Sequence, residues 1–251
     1  MPTPFSHLSA ARTLLEDRAI AAPVRAELEK EIGAFLLGSI AADGYYLANA
    51  PLRREDTHFF SYERPLEDQP WRLMLTRHPR MASAVGAARA FAAGYVAHLA
   101  MDEVWWLRMM RPHFGEREWA DRSYRFLMLN IILTVMDERD EAAARREVSA
   151  LQSAEPAAWC PFLPDQALIA WRDLIAAQIA PDGVSQTLPI LAPRVGKTEL
   201  ELRRMLDDAP LLEADLWAHV PRELLGTVEA AMLAHARESL CAYWMAVSPG
   251  S

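Results

Sequence analysis

A chain of 251 residues, 52% hydrophobic and 24% charged, is long enough to bury roughly 70 to 75% of the surface its unfolded form exposes, which excludes a disordered chain. Only two cysteines are present, Cys160 and Cys241, so a disulfide scaffold is excluded and both read as reduced core thiols in apolar surroundings. A net charge of −8 provides no whole-chain basic field to hold a phosphate backbone, and stable nucleic-acid binding is not expected.

Ala, Leu, Arg and Glu dominate long stretches whose apolar positions recur every three or four residues, glycine is scarce at 10 copies, and most of the 17 prolines fall between the periodic segments. The pattern predicts an all-α protein. No apolar run long enough for a signal peptide occurs near the N-terminus, so a cytoplasmic location is expected. Ser6 is a candidate cap for a first helix reaching about Asp17. Pro23 opens a second helix, whose apolar run from Ile32 to Ala42 ends at Asp43-Gly44. From Ala48 to Pro70 the sequence is rich in proline and charge and reads as a long connection. The longest helix is predicted from Met81 to Arg111, stopped by Pro112. Arg89, His98, Asp102 and Glu103 interrupt its apolar residues, so it falls short of the about 20 that a membrane span needs. Further helices are predicted near 116–136, 139–151, 164–180, 197–208 and 221–247. We read a single domain, with a boundary near residue 155 as the alternative. The eight tryptophans stand at helical spacing among Leu and Ala and are assigned to the core.

Chemistry concentrates in AGYVAHLAMDEVW, residues 93–105. His98 and Asp102 are four apart, which puts both on one helix face, about 5–6 Å apart at Cβ and close enough to hold one cation together. Their neighbours are apolar, so that face points inward, where an unpaired carboxylate would be costly. Gly94 removes a side chain one turn earlier and suggests that something approaches closely there. A buried His-Asp hydrogen bond is the simpler reading of the same spacing. Asp43 stands past a helix C-terminus, where the helix dipole disfavours a carboxylate; it is either an Asp-Gly turn residue or a ligand. His58, in EDTHFF, is either a surface histidine or a residue anchored to the core by Phe59 and Phe60. His7 begins the first helix.

Taken together, HLSAA near the start, FLLGSIAADG, EDTHFF and AGYVAHLAMDEVW resemble, in order and approximate spacing, the zinc-dependent phospholipase C family, an all-α fold also used by single-strand-preferring zinc nucleases. The resemblance covers roughly residues 5–107. It implies that Asp43, His58, His98 and Asp102 surround one zinc, and that Asp102 bridges to a second zinc bound by His7, with Asp43 and Asp102 as the catalytic carboxylates. Imidazole nitrogen with carboxylate oxygen is a catalytic-zinc ligand set, and a bridging carboxylate suits two ions. The implied reaction is hydrolysis of a small-molecule or lipid phosphodiester by metal-activated water, with one or two zinc ions as cofactor.

The sequence also departs from the family. Its members use a processed N-terminal residue as a backbone ligand, whereas Met1-Pro2 stands several residues before His7. A third zinc needs a later His-x-x-x-Glu pair, and in the one example, His219 and Glu223, Pro221 intervenes; no third zinc is expected. His78 and His113 read as loop residues, with His113 near enough in sequence to reach the site, and His235 reads as structural. Gly196-Lys197-Thr198 lacks the first glycine and preceding strand of a phosphate loop, and Glu55-x-x-His58 lacks the second pair of a di-iron site. The competing reading is a non-catalytic helical protein whose His/Asp cluster holds a structural metal or forms a buried polar network.

Overall fold

The computed structural model describes residues 2–48 and 52–247; Met1 and residues 49–51 of the expected 48–70 connection lie outside them. Among the described residues the protein is all-α, with no strand. The first helices are α1 (Pro4–Glu16), α2 (Ala22–Lys30) and α3 (Ile32–Ile40), which runs into a 3₁₀ turn at Ala41–Leu47. Ser6 is not the cap of α1. Pro4 occupies its first turn, Thr3 stands at the cap position, and the Thr3 hydroxyl hydrogen-bonds Asp137 instead of the helix end. The second predicted helix is two, broken where Glu31 leaves helical geometry (φ −109°, ψ 36°).

The Ala48–Pro70 connection contains a short helix, α4 (Arg54–His58), held by a hydrogen bond from the Arg53 amide to the Asp56 carboxylate and ended by Phe59 in left-handed geometry (φ 60°). It is too short to show a period in the sequence. The helices α5 (Pro70–Arg77) and α6 (Pro79–Ala82) follow. The long helix expected from Met81 to Arg111 begins later, as α7 (Gly86–Trp105): α6 ends at Ala82, Val85 is extended, and Gly86 enters α7 with a positive φ of 54°. Nor does Pro112 stop it. From Trp106 to Glu116 the chain widens into a π-helix with Pro112 inside, a looser turn that accepts a missing N–H.

Beyond it lie α8 (Arg122–Arg145), α9 (Val148–Gln152), α10 (Asp165–Ile179), α11 (Thr187–Arg194), α12 (Glu199–Asp207), α13 (Ala209–Leu212) with a π turn at Glu213–Trp217, and α14 (Arg222–Val247). The expected break at 137–138 is absent: Asp137 continues α8 because the hydroxyls of Thr3, Ser185 and Thr187 satisfy its carboxylate. Thr198 caps α12 in a box with Glu201, so the Gly196-Lys197-Thr198 run is a helix start.

The core cluster extends from Phe5 to Trp244. Its centre is α7, with α3 packed on one side and α14 on another, while α1 lies on α8. Five of the tryptophans (71, 105, 171, 217 and 244) are buried, and Trp106, Trp119 and Trp159 are half-buried. Both cysteines are free thiols. Cys160 is buried in the core, and Cys241 is half-buried and packs against it, beside Arg237. No helix among the described residues is long and apolar enough to cross a membrane.

Candidate metal centre

Two glycines decide where α3 meets α7. A methyl group on Gly38 would collide with the Phe91 carbonyl, and one on Gly94 with the Phe35 carbonyl and the Ser39 amide. What approaches Gly94 is therefore the neighbouring helix. This close crossing brings the Ser39 carbonyl oxygen within 2.8 Å of His98 Nδ1. A carbonyl only accepts, so Nδ1 carries the proton and Nε2 presents its lone pair to the interior. His58 is oriented in the same way. Its Nδ1 lies 3.2 Å from the Arg54 carbonyl, one turn back in α4, and the Thr57 hydroxyl also donates to that carbonyl, at 3.1 Å. Phe59 and Phe60 are buried, and Phe59 packs edge-on against His78 and Phe162, so the end of α4 is anchored to the core. His7 is brought in by α1, which Arg12 ties to Glu147 (2.7 and 2.9 Å) and Thr3 ties to Asp137.

All five ligand candidates converge. Asp102 Oδ1 is 3.4 Å from His7 Nε2, and its Oδ2 is 3.4 Å from both His58 Nε2 and His98 Nε2. Asp43, supplied by the 3₁₀ turn, places Oδ1 3.3 Å from His58 Nε2. The imidazoles of His7 and His98 stack with centroids 4.0 Å apart. His7, His98 and Asp102 form one group able to hold a metal ion, and Asp43, His58 and His98 form another. His78, His113, His219 and His235 belong to neither. His78 packs against Phe59 and Phe162, His113 lies in the π-helix rather than a loop, His219 stacks on Trp119, and His235 pairs with Glu103 at 3.2 Å.

The three histidines and Asp102 are fully or almost fully buried, yet His7 Nδ1 and Nε2, His58 Nε2, His98 Nε2 and both Asp102 oxygens have no hydrogen-bond partner among the described residues. Buried polar atoms left in that state are costly, and a cation or ordered water among them would satisfy them. Separations of 3.3–3.4 Å match neighbouring donor atoms around one small cation. Ligand bonds of about 2.0–2.1 Å in a tetrahedron place donors about 3.3–3.4 Å apart.

The protonation states suit a cation as well. Burial lowers the pKa of His7, helped by the charge of His98, and lowers that of His58 to about 4, helped by Arg54, so both imidazoles favour the neutral form. Burial pushes Asp43 and Asp102 toward protonation, but the surrounding histidines outweigh it and hold both below the usual carboxylate range. His98 is the exception: burial lowers its pKa, and attraction to Asp102 more than reverses this.

A cavity of about 310 Å³ adjoins the cluster, and of the five candidates only Asp43 is in its wall. Asp43 is joined there by Arg54, Tyr45 and Tyr62, while Tyr46, Phe126 and Ile190 combine a place in the wall with substantial exposure. Arg54 is not among the residues the sequence singles out, although its guanidinium Nη2 lies 3.6 Å from Asp102 Oδ2. Its signal, a spacing of four from His58, has meaning only once α4 is known to be a helix. Ser39, which acts through its backbone carbonyl, carries no side-chain signal at all.

No protein-family model, curated protein or solved structure matches the chain.

Proposed function

We propose that the protein is a zinc-dependent phosphodiester hydrolase resembling the phospholipase C family, with His7, Asp43, His58, His98 and Asp102 as the ligands of one or two zinc ions. The observation that carries this reading is the convergent set of nitrogen and oxygen atoms, most of them buried and without a hydrogen-bond partner among the described residues, spaced as donors around a cation. A structural site would be closed, whereas this cluster borders a cavity through Asp43. Zinc in such a ligand set acts as a Lewis acid toward phosphoryl oxygens and lowers the pKa of water toward about 7.

The chain's own residues divide the remaining work. Asp102 directs one oxygen to His7 and the other to His58 and His98, which suits a carboxylate shared between two ions. The hydrogen bonds at Nδ1 of His98 and His58 fix both rings, so that the ligand geometry costs no rearrangement on binding. Asp43, half-buried and in the cavity wall, is the carboxylate we assign to take the proton of the attacking water, which reaches the cluster from its side. The apolar and aromatic wall offers room for the organic part of a small or lipid diester.

The test is equilibrium dialysis of chelator-stripped protein against zinc, with elemental analysis, followed by turnover of bis(p-nitrophenyl) phosphate, phosphatidylcholine and single-stranded DNA. One or two bound equivalents with hydrolysis of at least one diester is the expected outcome. Zinc binding without turnover of any of them would favour a structural metal, and no zinc binding would leave only a buried polar cluster.

A further inference from the structure

Arg54 is an unusual neighbour for a cation site. Asp43, Asp102 and Arg54 together leave one negative charge around the cluster when the imidazoles are neutral; one dication turns this into a positive excess of one, and two turn it into three. A guanidinium beside such a centre is repelled unless an anion joins it. It is nevertheless held in place. Its carbon lies 4.5 Å from the centre of the Phe60 ring and 4.3 Å from that of Tyr62, two aromatic faces that retain a cation without neutralising it.

The donors of Arg54 are almost idle. Nη1 makes one long hydrogen bond, 3.5 Å, to the Phe60 carbonyl, while Nη2 is buried without a hydrogen-bond partner among the described residues and stands 3.6 Å from Asp102. By contrast, the Arg12 guanidinium makes three hydrogen bonds, to Glu147 and Glu29. Arg54 also forms part of the cavity wall beside Asp43, so a ligand entering there meets the guanidinium and the cluster together.

On the reading of the cluster as a zinc site, we propose that Arg54 is an anion clamp, a guanidinium held between Phe60 and Tyr62 that binds the phosphoryl oxyanion of a ligand lying against the metal centre. The planar fork of Arg fits two oxygens of one phosphoryl group, and charge-assisted hydrogen bonds of this kind are the strong ones. The chemistry recognised is the tetrahedral phosphoryl anion, whether a diester or free phosphate.

The experiment is calorimetric titration of zinc-loaded protein with inorganic phosphate and, separately, with diethyl phosphate, for the wild type and the Arg54→Met, Arg54→Lys and Arg194→Met variants. Arg194 is an exposed arginine of the same cavity wall. Arg54→Met should keep the zinc stoichiometry and weaken both ligands at least tenfold, about 1.4 kcal/mol. Arg54→Lys should fall between it and the wild type, and Arg194→Met should change affinity less than threefold. If diethyl phosphate alone responds, the clamp serves diesters; if inorganic phosphate alone responds, it serves free phosphate or a monoester. Equal affinities in wild type and Arg54→Met, an equal loss in Arg194→Met, or zinc loss from both Arg54 variants would each overturn the clamp. Wild-type protein that binds zinc and phosphate through Arg54 but hydrolyses no diester would overturn the hydrolase reading alone, while wild type that binds no zinc would overturn both.

Discussion

His98 Nδ1 and the Ser39 carbonyl oxygen meet at 2.8 Å where Gly38 and Gly94 let α3 and α7 approach backbone to backbone. The inward orientation of His98 Nε2 thus depends on two residues with no side chain. Gly94→Ala should force the helices apart, destabilise the fold by about 2 kcal/mol or more, and weaken zinc binding by turning His98. The control is Gly226→Ala. Gly226 lies exposed in α14 with open space where its Cβ would be, so the substitution should raise stability by about 0.5–1 kcal/mol. Urea denaturation of both variants with zinc titration checks this, and a Gly94→Ala protein as stable as wild type would refute the tight crossing.

The two oxygens of Asp102 give it a different role from His7. Asp102→Asn retains the shape but loses the charge that faces three imidazoles, so it should disturb every zinc equivalent and lower diester turnover on the order of a thousandfold, several kcal/mol at about 1.4 per tenfold. His98→Ala should remove at least one zinc. His7→Ala, which affects one of the two ligand groups, should cost less. Metal analysis and turnover on the three variants check the ranking; equal, small losses would count against a bimetal centre.

Acid should weaken the zinc-free protein through its histidines. His7 and His58 have folded pKa values below the unfolded value near 6.5, about 4 for His58, so the unfolded chain takes up protons first and stability falls as pH drops through that interval. Asp43 and Asp102, also depressed, contribute stability above the usual carboxylate range and lose it only at lower pH. His98, raised, acts in the opposite sense, contributing below about 6.5 and losing that contribution as pH rises through its folded value. Bound zinc competes with protons for the same atoms. The increase in melting temperature produced by zinc over chelator should therefore shrink from pH 7 to pH 4.5, and an increase unchanged at pH 4.5 would be inconsistent with these ligands.

Asp137 provides a test away from the candidate ligands. Burial raises its pKa to about 6 despite hydrogen bonds from the Thr187, Thr3 and Ser185 hydroxyls. A raised carboxyl favours folding fully below its unfolded pKa and loses that advantage as pH rises through about 6. At pH 8 the buried charge costs on the order of 2–3 kcal/mol. Asp137→Asn should therefore stabilise the protein at pH 8, with the difference from wild type vanishing below about pH 4, because the hydroxyls can rotate to accept from the amide. Denaturation at the two pH values decides; destabilisation at pH 8 would mean that the ionised carboxylate is favoured.

Helical class was legible in the sequence because a period of three to four residues needs nothing but local pattern, and the i, i+4 pair of His98 and Asp102 was legible for the same reason. The candidate ligands were legible as residue types in a recognisable order. Their convergence was not, since His7, Asp43 and His58 come from α1, a 3₁₀ turn and α4, and only packing around α7 brings them together. Helix ends were misjudged where tertiary contacts override local signals: Asp137 stays helical through three hydroxyl donors, and Pro112 is absorbed by a π turn. Arg54 was hidden because α4 is shorter than two turns, too brief to leave a period. The sequence by itself thus determined which atoms were available to bind a cation, since side-chain chemistry is local. Tertiary structure decided that those atoms meet in two overlapping, mostly buried groups, several of them without a hydrogen-bond partner among the described residues, because the distance between residues far apart in the chain is set by how closely helices can pack, here by the missing side chains of Gly38 and Gly94.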